Sequence, residues 1–224
     1  MDITDQPIRH KSALLVLVLL AAALAGGCAT DFGGFGESPA ERRAVTLADS
    51  GRHAEAAAVY IDLATRETGD ERRRLTLLAA EQWLDAGDGR RARNAMQGVP
   101  MPAAGWPLWL WRSNSAALAL WEGAPDEALE HLESLGREAL PFDNRARVEA
   151  LRADAWFQKG DPARAVELYI QRENWLEGRR RIELNRKRLW AGLLVSRPDA
   201  LRAALATASD PEVRGWLSLG VLAT

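Results

Sequence analysis

The sequence has one cysteine, Cys28, and three histidines, His10, His53 and His131. A single thiol cannot build an intramolecular disulfide framework or a cysteine-based metal site. The histidines stand far apart, with no partner at helical spacing and no His-Glu-x-x-His stretch, so no zinc ligand set is expected. Charge of one sign is also missing: 29 basic side chains face 31 acidic ones, leaving a formal net charge of -2. That balance gives no field for nucleic acid or an anionic surface. Two tyrosines, four phenylalanines and few β-branched residues outside the N-terminus argue against strands, whereas abundant alanine and leucine favour helices. No Gly-x-Ser-x-Gly elbow is present, and no two carboxylates are singled out for acid–base work. Gly33, Gly34 and Gly36 follow no strand and precede no Lys-Ser/Thr, so a phosphate loop is not expected. These absences leave a binding scaffold without cofactor or metal, not an enzyme.

The N-terminus accounts for the lone cysteine. Arg9, His10 and Lys11 precede an apolar run, residues 12–25, and then Gly26, Gly27 and Cys28. A basic start, a short apolar stretch and small residues at its end make a secretory signal. The run is shorter than the roughly 20 apolar residues a membrane span needs. Cysteine after two glycines resembles a lipobox, with Ala25 and Leu24 as its less regular upstream positions, so residues 1–27 read as a lipoprotein signal peptide and Cys28 as the lipidated residue. Ala29 in place of an aspartate implies the periplasmic face of the outer membrane. Residues 28–37 read as a glycine-rich tether. The folded part, 38–224, opens with Ser38-Pro39, a helix-start pair.

Four segments repeat. Gly51, Gly87, Gly123 and Gly160 are spaced at intervals of 36, 36 and 37 residues. Seven positions before each glycine stands Ala44, Ala80, Ala116 or Ala153, and five after stands Ala56, Ala92, Ala128 or Ala165. A glycine closes one helix, Asp88 or Asp161 caps the next, and alanines let the two helices approach closely. The pattern resembles the tetratricopeptide repeat, with a longer period and an insertion over 100–107. The expected fold is all-α: a tetratricopeptide-like helix-turn-helix solenoid of about four irregular repeats. Helices are expected near 38–50, 53–68, 70–86, 88–97, 107–122, 125–135, 144–159 and 161–172, with Asp70, Asn144 and Asp210 as caps. Three further helices, near 180–195, 198–207 and 210–222, lack the alanine–glycine–alanine pattern and are expected to cap the array.

Two stretches could bind a partner. Trp106, Trp109 and Trp111 lie in the most apolar segment after the signal, where a tryptophan cluster can form a hot spot. The spacing of Trp109, Ala116 and Leu120 favours instead a face turned into the third repeat. Arg180, Arg181 and Arg188 lie on a basic helix that also carries Ile182, Leu189, Trp190 and Leu193, a solvated face by default and otherwise a dock for an acidic partner or for the phosphate-rich inner leaflet.

Several of these segments together resemble the N-terminal half of the LpoA-type (LppC) penicillin-binding protein activators. The resemblance rests on the lipoprotein signal ending at Cys28, Ala56–Glu67, Leu77–Arg93, Arg147–Leu176, and the pattern Ile182, Asn185, Leu189-Trp190, Leu193 followed by Gly215-Trp216-Leu217. It implies an outer-membrane lipoprotein that regulates peptidoglycan synthesis, with a class A penicillin-binding protein as partner and no nucleic acid. In that family an α/β domain resembling periplasmic binding proteins follows the Gly-Trp-Leu helix and carries much of the synthase contact. This sequence stops seven residues after Leu217, so that domain is expected to be absent. The alternative is a generic tetratricopeptide lipoprotein serving outer-membrane assembly, pilus or secretion machinery.

Overall fold

Alanine and leucine at helical spacing, interrupted at regular intervals by glycine, produce helices that stop and reverse. The structure, a computed structural model, describes residues 38–135, 140 and 142–224. The expected signal peptide and tether, with Cys28, lie outside the described residues. Among the described residues the α-helices are α1 (Pro39–Asp49), α2 (His53–Arg66), α3 (Gly69–Asp85), α4 (Gly89–Gln97), α5 (Gly105–Trp121), α6 (Pro125–Glu133), α7 (Phe142–Lys159), α8 (Pro162–Arg172), α9 (Arg179–Val195), α10 (Pro198–Thr207) and α11 (Pro211–Ala223). A 3-10 turn, Glu173–Trp175, follows α8. No strand occurs among these residues.

The first eight helices form four antiparallel hairpins: α1/α2, α3/α4, α5/α6 and α7/α8. The turn between α3 and α4 shows how each is made. Gly87 adopts φ 77°. Its N–H donates to the Leu84 carbonyl at 2.9 Å, and the next N–H, of Asp88, reaches back to Trp83 at 2.8 Å. These two hydrogen bonds satisfy carbonyls that the helix end would leave unpaired. A Cβ at Gly87 would meet nothing within 4 Å, so the position needs glycine for its backbone angle, not for space. The Asp88 carboxylate then accepts from the Arg91 N–H at 3.1 Å, and Asp161 does the same for Arg164 at 3.1 Å in the fourth hairpin. All eight repeat alanines, from Ala44 to Ala165, are 0% exposed. Each sits where paired helices touch, and the missing side-chain bulk lets the backbones close up.

Four apolar clusters succeed one another along the stack. Trp83 packs against both the first, around Tyr60 and Leu75, and the second, around Ala92 and Met96. The third lies around Leu120 and Leu132, and the last joins α7 to α11 through Tyr169, Leu193 and Leu217.

Three starts differ from expectation. A second glycine set between hairpins, Gly69, Gly105 and Gly178, also takes positive φ, and α3 begins at Gly69 and α5 at Gly105. Asp70 is therefore not a cap but a first-turn residue paired with Arg73 at 2.9 Å, and Thr68 holds the cap position. Asn144 lies inside α7, which begins two residues earlier at Phe142. Asp210 does cap α11, accepting from the N–H groups of Glu212 and Val213 at 2.8 and 2.9 Å.

The terminal helices keep the period but lose the small residues. Ser196, the turn between α9 and α10, falls 36 residues after Gly160, and Leu189 and Leu201 occupy the two alanine positions. Both leucines are buried, at 2% and 0% exposure. Two leucines cannot nest where two alanines would, and α9 and α10 lack the close backbone approach of the earlier hairpins. Helix α11 fills the opened angle: a Cβ at Gly220 would stand 3.3 Å from Leu193 and 3.4 Å from Leu201.

Candidate functional site: the inner groove

The first helices of successive hairpins stack side by side, and their shared face forms a groove with two unlike halves. The apolar half is a hollow of about 440 Å³ walled by Leu84, Trp121, Leu151, Phe157 and Val195. Trp121 and Val195 leave 47% and 83% of their surface exposed. Close packing beneath holds the walls. A Cβ on Gly89 of α4 would overlap the Trp121 indole, and one on Gly192 of α9 would overlap the Phe157 ring. Arg93 adds its guanidinium 5.8 Å from the Trp121 ring centroid and bonds to Glu122.

The charged half is a hollow of about 640 Å³ that meets the apolar half at Leu84, Asp85 and Arg188. On its floor Arg147 of α7 faces Glu81 and Asp85 of α3, each at 3.1 Å. Further along, Arg188 of α9 pairs with Asp154 of α7, which also accepts from the buried Tyr169 hydroxyl. Arg172 donates to the Ala146 carbonyl and to Asn185 Oδ1, both at 2.6 Å, while Asn185 donates to the Tyr169 carbonyl at 2.9 Å.

Burial raises the Glu81 carboxyl above the ordinary carboxylate range, and the attraction of Arg147 only partly offsets it. Burial also works against the charged guanidiniums of Arg147 and Arg188, but neighbouring carboxylates outweigh it and both are held above the ordinary arginine value. For Arg172, burial and the nearby Arg188 charge prevail and lower it. Burial drives the Tyr169 phenol well up. Paired ions beside an apolar wall can hold a chain segment. His53 is occupied by Gln82 at 2.9 Å, and His131 stands 3.8 Å from Glu127. Among the described residues no group of three or more His, Cys, Asp or Glu side chains could hold a metal ion, and no helix is long and apolar enough to cross a membrane.

The six residues singled out for partner binding fall in different surroundings. Trp106 is 37% exposed, Trp109 packs against the third core cluster, and Trp111 donates to the Val99 carbonyl at 3.2 Å and meets His131 edge-on. Arg180 is exposed, Arg181 lines the charged half, and Arg188 is drawn into the Asp154 pair. The groove residues Trp121 and Arg147, and the buried Asn114 that Arg147 reaches, carry no mark in the sequence pattern. Asn114 stands in the polar stretch Arg112–Ser115 between the two apolar ends of α5, so its neighbours in the chain gave no signal of its burial.

These helix pairs and their groove define a tetratricopeptide-like solenoid. No protein-family model and no curated protein sequence matches the chain. Solved structures do. The crystal structure of the E. coli LpoA amino terminal domain is 20% identical with a TM-score of 0.56, over 73% of this chain and 73% of that one. Haemophilus influenzae LpoA, in a monoclinic form, is 18% identical with a TM-score of 0.62, over 74% of this chain and 30% of that one. The domain described here has the fold of an LpoA amino-terminal domain.

Proposed function

We propose that this chain is the helical part of an outer-membrane lipoprotein that regulates peptidoglycan synthesis by activating a class A penicillin-binding protein. The observation that carries the reading is the likeness of fold to LpoA amino-terminal domains over nearly three quarters of the chain. Lipid on Cys28 tethers the protein to the periplasmic face of the outer membrane. The stacked hairpins then act as a spacer and docking surface, contributing position and contact without chemistry. The test uses the full chain in detergent with purified class A synthases. Stimulated glycan polymerisation, or retention of the synthase on the immobilised protein, supports the reading; neither effect with any such synthase counts against it. Mass analysis of Cys28 in membranes, with Cys28→Ser as control, tests the anchor separately.

The groove itself favours a second reading, a scaffold for outer-membrane assembly, pilus or secretion machinery that seats a peptide segment along the apolar half. Under that reading Trp121→Ala abolishes capture of the partner while synthases are ignored.

A further inference from the structure

In a solenoid each repeat touches its neighbours, so curvature follows from the sum of neighbour contacts. Arg147 departs from this. From α7 it reaches past α5 to α3, with Nε 3.1 Å from Glu81 Oε1 and Nη1 donating to Asp85 at 3.1 Å. Its Nη2 donates at 3.4 Å to Oδ1 of Asn114 on the intervening α5. Asn114 is 0% exposed and is itself fixed by donating to the Leu77 carbonyl at 2.8 Å. One planar, rigid guanidinium thus joins three successive inner helices. Contact between adjacent helices sets their spacing; contact between the first and third sets the angle through which the stack bends. The pair is also shielded, with side-chain exposures of 20% for Arg147, 19% for Glu81 and 33% for Asp85, unlike an exposed pair of negligible worth.

We propose that Arg147 is a strut that fixes the bend of the solenoid across α3, α5 and α7, and with it the width of the inner groove. The rest of the floor is built to match. Arg188 pairs with Asp154 one helix on and is attracted by Asp85, so the carboxylates of α3 are held between cations from α7 and α9. The charged half of the groove is lined by ions already paired with one another, and the apolar half beside Trp121 keeps a set width for whatever it seats. This inference does not rest on the proposed function, since its readout is a distance and not a binding event.

The experiment places nitroxide labels at Arg72→Cys on α3 and Lys187→Cys on α9, both exposed, in the full chain carrying Cys28→Ser so that no other thiol reacts. Pulsed dipolar spectroscopy then gives the distance across the groove. Arg147→Met is expected to move the distribution outward by several ångströms and broaden it, with helical circular dichroism retained. Glu81→Gln combined with Asp85→Asn, which leaves the arginine in place without its anions, should give the same shift. Distributions that superimpose on the parent in both variants would overturn the strut. Loss of helical signal in both would also overturn it, because the residue would then hold the helices themselves and not the angle between them. If only Arg147→Met unfolds, the second variant decides.

Discussion

The four hairpins and the terminal three helices share one period and differ in three residues at each turn, two alanines becoming leucines and the glycine becoming Ser196 at φ -73°. Where alanine flanks the turn on both sides, the helices close into a hairpin and every one of those alanines is sealed from solvent. With Leu189 and Leu201 in the same places, the pair opens and α11 enters the gap against both of its helices. Helix separation here follows side-chain volume together with the backbone of the turn, at positions whose register the whole array keeps.

The comparison can be broken most forcefully at the terminal end. Leu201→Ala removes a fully buried side chain from the wedge and should cost about 3 kcal/mol, read as a lower urea midpoint; a loss under about 1 kcal/mol would mean that α11 does not depend on it. The converse change, Ala116→Leu, forces bulk into a closed hairpin and should cost about 2 kcal/mol by the same measurement. Gly87→Ala tests the turn and not the packing. At φ 77° a Cβ is strained though sterically free of neighbours, so about 1 kcal/mol is expected, whereas Ser196→Ala, at φ -73°, carries no such strain and loses only the hydroxyl's bond to the Gly192 carbonyl.

The smallest effect concerns pH. Burial holds Glu81 above its ordinary value, so the folded chain binds that proton more tightly than the unfolded chain. Stability from this group is therefore present at low pH and lost as pH rises through the raised value. On lowering pH from about 7 to about 5, the parent should gain relative to Glu81→Gln in chemical denaturation. Parallel curves for the two would remove Glu81 from the account.

How far the sequence could foresee this follows the same division. Gly51, Gly87, Gly123 and Gly160, with their alanines, announced four hairpins because each motif is local and depends on residues within one turn. The terminal pair does not read as a fifth unit because its marker residues are two leucines and a serine, though Ser196 keeps the interval. The set Gly69, Gly105 and Gly178 was passed over because no alanine pattern frames it. The groove was least legible of all. Arg147 meets Asp85 across 62 residues of chain, and nothing in a linear reading distinguishes that arginine from those spent on exposed helix pairs such as Arg66 with Asp62.

Gly89 opens α4 on one hairpin, while the indole resting on it forms a wall of the next hairpin's groove. A lone methyl group at that buried spot, as in Gly89→Ala, would have nowhere to go except into the ring, which must then swing toward the space a guest would fill. A change in one repeat would thus be felt as altered tryptophan emission and a reshaped entrance in its neighbour, making one glycine of the second hairpin a governor of the third.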